Sequence, residues 1–142
     1  MEKTHGYVLA LGRLLLSGLF VWAGYRKLMS PGATMGYFAK VGVPLPSLAV
    51  WVAILVELVG GIALLVGFRT RWVALVLAIW CVVTGFAVHL AVGVSSADAA
   101  TASNNMIHFY KNLAMAGGLL FVFVYGAGGV SIDNRFEPAR AH

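Results

Sequence analysis

The sequence predicts an all-α integral membrane protein built as a bundle of four transmembrane helices. Three observations predict it. Hydrophobic residues make up 61% of the 142 positions and charged residues only 11%, where a soluble domain holds about a quarter charged. Mean hydropathy is +0.88. Four apolar stretches, at about residues 8–28, 48–68, 72–94 and 107–126, approach the roughly 20 residues that carry a helix across the hydrocarbon core. They are apolar nearly all round, whereas the helices of a water-soluble bundle keep one polar face. Residues 1–134 therefore read as a single four-helix transmembrane domain, followed by a polar C-terminal tail at 135–142.

The same composition excludes disorder, a coiled coil and a nucleic-acid partner. The net charge of +5 comes from ten scattered basic residues against five acidic ones, with no phosphate-tracking stripe. Basic residues on an apolar chain mark loops beside a lipid bilayer. Cys81 is the single cysteine, so there is no intrachain disulfide, CxxC pair or cysteine-rich zinc site.

The first stretch is interrupted by Arg13. Its n-region holds only Lys3 against Glu2 and no small-x-small cleavage site follows, so it reads as a retained helix, not a signal peptide. Arg13, Ser17, Phe20, Gly24 and Lys27 recur at helical spacing and share one stripe. The connection at 29–47 is long and rich in Gly and Pro, and its middle, 34–41, is expected to form a short helix at the interface. In the second stretch Ala53, Glu57, Gly60, Gly61 and Leu64 share a face, and 68–71 is a tight basic turn. In the third, Ala78, Cys81, Gly85 and His89 share a face. Residues 95–105 are small and polar and are expected to form a mobile loop. The apolar part of the fourth stretch, 113–126, is too short to cross alone. The span is therefore expected to begin near Ile107, which draws His108, Lys111 and Asn112 into its first turns. Small residues on these faces let helices approach closely.

Four spans put both termini on one side. That side carries Lys3, Arg69, Arg71, Arg135 and Arg140, and the other carries Arg26, Lys27, Lys40 and Lys111. The excess favours both termini in the cytoplasm.

Glu57 is the most informative residue. A charge in mid-membrane costs roughly 3 kcal/mol on insertion scales, so it must be protonated, paired or watered. At 1.5 Å per residue it lies roughly 15 Å from the terminal-side end of its span, and Arg13 roughly 9 Å in from that side. This nominates Arg13–Glu57 as a structural ion pair that fixes helix register, with Lys27 or Lys111 as partners from the opposite end. Glu57 reads equally as a functional carboxylate. The non-terminal ends of the spans gather Lys27, His89, His108, Lys111 and Asn112, which with Glu57 would line a pocket opening on that side. Such donors suit a quinone carbonyl, and a His or Glu can carry its protons. On this reading Glu57 and Lys111 are the candidate catalytic residues, and His89, His108, Asn112 and Lys27 the candidate cofactor-binding ones. The alternative is that they snorkel to water. His89, His108 and Glu57 come from separate helices without HxxxH or ExxH spacing, so no metal site is expected.

Four ordered segments resemble the DoxX family of bacterial membrane proteins. They are Gly12-Arg13 through Gly24-Tyr25-Arg26-Lys27-Leu28 with Pro31; Glu57-Leu58-Val59-Gly60-Gly61 through Gly67-Phe68-Arg69-Thr70-Arg71; His89; and His108-Phe109-Tyr110-Lys111-Asn112-Leu113-Ala114 with Gly117-Gly118, closing in 126–133. The resemblance covers nearly the whole chain. It implies a four-helix inner-membrane protein, and relatives are associated with quinone-linked oxidoreductases and with quinone or thiol stress. Three readings follow. The first is a quinone-interacting component of a membrane oxidoreductase or redox-stress system, receiving electrons from a partner protein or an outside reductant. The second is a non-catalytic accessory or anchoring subunit. The third is a small-molecule or lipid transporter, which as a four-helix chain would work as a homo-oligomer.

Overall fold

The computed structural model describes residues 2–136, with side chains from His5 onward. The part of the expected tail at 137–142 lies outside the described residues. Helix α1 (Glu2–Met29) is followed by a short helix α2 (Pro31–Lys40). Then come α3 (Pro46–Val66), α4 (Thr70–Ser95) and α5 (Ala99–Tyr125), and a last turn, α6 (Asp133–Phe136). Four helices among the described residues are long and apolar enough to cross a membrane: His5–Met29 within α1, and α3, α4 and α5 entire. The protein is an all-α integral membrane protein with a four-span bundle.

Local chemistry sets the boundaries. Pro31 and Pro46 occupy the first turns of α2 and α3, where a missing N–H costs nothing and a fixed φ helps. Gly67, at φ 72°, ends α3. Its N–H reaches the Leu64 carbonyl and that of Phe68 reaches Ala63, the paired bonds of a left-handed helix stop.

Two expectations about the connections are corrected. The short interfacial helix starts at Pro31 rather than at 34, because Pro31 initiates it directly after the end of α1. The expected mobile loop at 95–105 is mostly helix, and the fourth span begins at Ala99 rather than near 107. The reason is a cap: the Asp98 carboxylate accepts the Thr101 N–H at 2.8 Å, supplying an orphan donor of the first turn with its partner. Hydrogen bonding from Thr101 holds the Asp98 carboxyl below the ordinary range.

The helices meet through small residues. A Cβ on Gly24 would lie 2.6 Å from the Leu58 backbone nitrogen, and one on Gly61 would lie 3.0 Å from that of Val21. Helices α1 and α3 therefore cross almost backbone to backbone at this point. Helices α4 and α5 form the most extensive contact, around buried Leu77, Ala78, Cys81, Ala116 and Leu119.

The face of the bundle that carries both terminal segments, here the proximal face, is closed by the chain after α5. Glycines at φ 81° (Gly126) and 76° (Gly128) turn it back under the helices. The Ile132 and Asp133 N–H groups donate to the Val66 and Gly67 carbonyls. The Asp133 carboxylate accepts the N–H groups of Arg69 at 2.7 Å and Thr70 at 2.8 Å, so a distant residue caps the positive end of α4. Burial alone would raise the Asp133 carboxyl. The Thr70 and Arg69 N–H groups and the Arg13 cation outweigh burial and hold it below the ordinary carboxylate range.

Candidate functional site

On the opposite, distal half of the bundle the helices diverge around a cavity of about 650 Å³, with α2 as one wall. The polar groups that line it ascend in tiers from mid-membrane to the distal end.

The deepest tier is centred on Glu57, which is 8% exposed. Its Oε2 pairs with Lys27 Nζ at 2.6 Å, and its Oε1 accepts the Trp80 indole N–H at 3.1 Å. The Gly24–Leu58 crossing explains the ion pair: Lys27 lies one turn beyond Gly24, so the close approach of the backbones delivers its ammonium to the next helix. In the middle tier the Thr84 hydroxyl donates to the Trp80 carbonyl at 2.8 Å, and the Asn112 amide donates to that hydroxyl at 3.4 Å. In the upper tier Lys111 Nζ lies 2.7 Å from His108 Nδ1. Here His89 Nδ1 lies 3.2 Å from Asn105 Oδ1, and the two imidazole rings are 5.2 Å apart.

These contacts assign hydrogens. Asn105 uses its amide nitrogen on the Thr101 carbonyl, so its oxygen accepts and His89 Nδ1 donates. A neutral His89 then presents Nε2 as an acceptor. Lys111 donates to His108 Nδ1, so a neutral His108 presents Nε2–H as a donor.

Two of the lining helices depart from α geometry at this level. Leu55–Val59, which holds Glu57, and Gly85–Leu90, which holds His89, are π-helical. A π turn fits an extra residue into the helix and is frequent at functional sites. Gly85, at the start of the second, faces the Asn112 and Phe109 side chains of α5.

All six residues assigned from sequence to catalysis or cofactor binding line this one cavity: Lys27, Glu57, His89, His108, Lys111 and Asn112. The Arg13–Glu57 ion pair does not form. Arg13 is 3% exposed, but its guanidinium packs against Gly67 and donates to the Val130 carbonyl. Glu57 lies ten residues, about 15 Å, farther along α3. Depth counted on flush, parallel helices brought Arg13 too near, whereas the crossing carries the other end of α1 to Glu57. Trp80 and Thr84 were not assigned to the site from sequence. Trp80 had a usable signal, an indole N–H in mid-span that requires an acceptor when buried. Cys81 is 1% exposed and also borders the cavity. Among the described residues no three His, Cys, Asp or Glu side chains gather as a metal-binding group.

The DoxX family model matches residues 8–90, a segment that contains Lys27, Glu57, Trp80 and His89. The chain is 35% identical over 136 residues to the inner membrane protein YqjF of Escherichia coli, covering 94% of this chain and 95% of that one. It is 31% identical over 128 residues to the inner membrane protein YphA of the same organism, covering 90% and 89%. An uncharacterized protein of Haemophilus influenzae is 32% identical over 142 residues, with 96% of each chain covered. No solved structure matches the chain.

Proposed function

The chain belongs to the DoxX family of membrane proteins, and we propose that it acts as a quinone-interacting component of a membrane oxidoreductase or redox-stress system. It sits in the bacterial inner membrane with both termini in the cytoplasm. The observation that carries the reading is the distal cavity, where a buried carboxylate tied to two donors underlies a tier of further donors.

A quinone fits what the residues offer. The cavity volume lies within the roughly 300–1,000 Å³ of small-molecule pockets. Phe20, Phe38 and Met115 supply apolar walls for a flat ring, and Lys111, Asn112 and the His108 Nε2–H supply donors for its carbonyls. A bound quinone contributes the capacity to take up two electrons and two protons. Lys111 and Asn112 orient its carbonyl. The two protons that reduction consumes would enter from water through the donors that face the cavity, the Lys111 ammonium and the His108 Nε2–H. His89 Nε2 and the Glu57 carboxylate would accept protons when the quinol is oxidised, and the Lys27 and Trp80 contacts keep Glu57 fixed. The lone Cys81 cannot form a disulfide within the chain, so electrons reach the cavity from a partner protein or an outside reductant.

The test is to purify the protein from its native membrane in mild detergent and quantify extractable quinone per chain by mass spectrometry. Near-stoichiometric quinone is expected, falling sharply in folded Glu57→Gln and Lys111→Met variants. Quinone-free protein, or full retention in both variants, would overturn the reading. A stoichiometric protein partner without quinone would instead establish the accessory-subunit role.

A further inference from the structure

The geometry points to an anionic ligand in the distal cavity: a quinone-class molecule with an acidic hydroxyl on the quinone ring, bound through Lys111. This rests on the quinone reading above and adds the charge of the head group.

Lys111 carries the inference. The side chains that border the cavity include three cations, Arg26, Lys27 and Lys111, and one carboxylate, Glu57. That carboxylate is taken. Lys27–Glu57 at 2.6 Å is the one ion pair among the described residues. Lys111 sits twelve residues into α5, about 18 Å from its start. Among the described residues its one hydrogen-bond partner is the His108 ring nitrogen at 2.7 Å. An ammonium has three donors, and a neutral imidazole compensates none of its charge. Asp98 is a full thirteen residues away, capping the start of the helix, and Asp133 is engaged at the proximal face. Lys111 is half-buried and faces the cavity, and a cation within a span is costly unless it is paired or watered. A neutral quinone carbonyl would fill a donor and leave the charge. A ring hydroxyl conjugated to the quinone carbonyl is a vinylogous acid, ionised at neutral pH, and its oxyanion would accept a charge-assisted bond roughly twice as strong as a neutral one. The apolar wall formed by Leu19, Phe20 and Met115 suits the rest of such a molecule.

The experiment compares a hydroxynaphthoquinone with its methyl ether, which has the same ring and no acidic proton. Binding is measured by calorimetry to the whole protein in lipid nanodiscs at neutral pH, with empty nanodiscs subtracted. The expected result is an affinity about tenfold or more higher for the hydroxy compound, the order set by a charge-assisted against a neutral hydrogen bond. The preference should vanish in Lys111→Met and persist in Lys111→Arg. Equal affinities in the wild type would overturn the acidic head group and leave the quinone reading standing. No binding of either compound would overturn both. A preference surviving in Lys111→Met would remove Lys111 from the site. The wild-type comparison alone decides the charge question, even where a variant fails to fold.

Discussion

Replacing Lys27 with Met tests the contact on which the deep end of the cavity depends. The substitution preserves length and apolar bulk but removes the ammonium 2.6 Å from Glu57 Oε2. Oε1 keeps the Trp80 N–H at 3.1 Å, so the carboxylate loses its charge partner and one of two hydrogen bonds. Removing one member of a buried ion pair costs about 3–5 kcal/mol, because the other charge is left uncompensated. Trp80→Phe removes a single bond to a charged acceptor and should cost about 1.5–3 kcal/mol. The double variant Lys27→Met with Glu57→Gln removes both charges and should recover most of the loss. The remaining interhelical bonds are then neutral, and in membranes such bonds average about 0.6 kcal/mol. Reversible unfolding of the detergent-solubilised protein by titration with a denaturing detergent measures all three, and the cycle isolates the coupling. The reasoning is refuted if Lys27→Met costs less than Trp80→Phe, or if the double variant is as unstable as the sum of its singles.

Three further outcomes follow from contacts elsewhere. Gly24→Ala places a Cβ 2.6 Å from the Leu58 nitrogen and should destabilise by about 1–3 kcal/mol; Gly18→Ala meets nothing within 4 Å and should gain about 0.5–1 kcal/mol, both read by the same unfolding titration. Asp133→Ala removes the cap of α4 and should cost about 1 kcal/mol. Because the folded state holds Asp133 below its ordinary value, its stabilisation is complete above about pH 4 and disappears as pH falls through the lower folded value, so the gap between wild type and variant should close only in strong acid. Asp98→Ala should speed amide exchange of Thr101 and its neighbours without altering Leu119. Unchanged exchange would show that the start of α5 does not depend on its cap.

The spans were legible because a membrane requires every backbone group to be satisfied within a helix, and hydropathy reports that requirement directly. The start of α5 was not legible by the same route, since Thr101, Ser103, Asn104 and Asn105 are polar. Its signal was capping chemistry, Asp98 three residues before Thr101. Glu57 and the distal polar residues were found because ionisable groups are conspicuous in apolar sequence. Lys27 stood among the candidate partners of Glu57 and is the one that pairs with it, but the choice between it, Arg13 and Lys111 was not legible, because pairing depends on how helices slide and cross. Nothing in the spacing of Arg13 and Lys27 reveals that Gly24 and Gly61 shift α1 along α3. The π turns at Leu55–Val59 and Gly85–Leu90 leave no mark in hydropathy, yet they belong to the stretches that hold Glu57 and His89.

Residues 126–133 are synthesised after all four spans, yet they finish three of them. Until they emerge, the Arg13 guanidinium, the Val66 and Gly67 carbonyls and the Arg69 and Thr70 N–H groups lack the partners they have in the folded chain. A chain cleaved before Gly126 would leave these polar groups at the proximal face without those partners, at the cost of any backbone group left unpaired away from water. In the folded chain the Val130 carbonyl accepts from Arg13 Nη2, the Ile132 and Asp133 N–H groups meet the two carbonyls, and the Asp133 carboxylate meets the two N–H groups. The returning segment thus joins the ends of three spans to one another, and an insertion between Tyr125 and Asp133 would uncouple them.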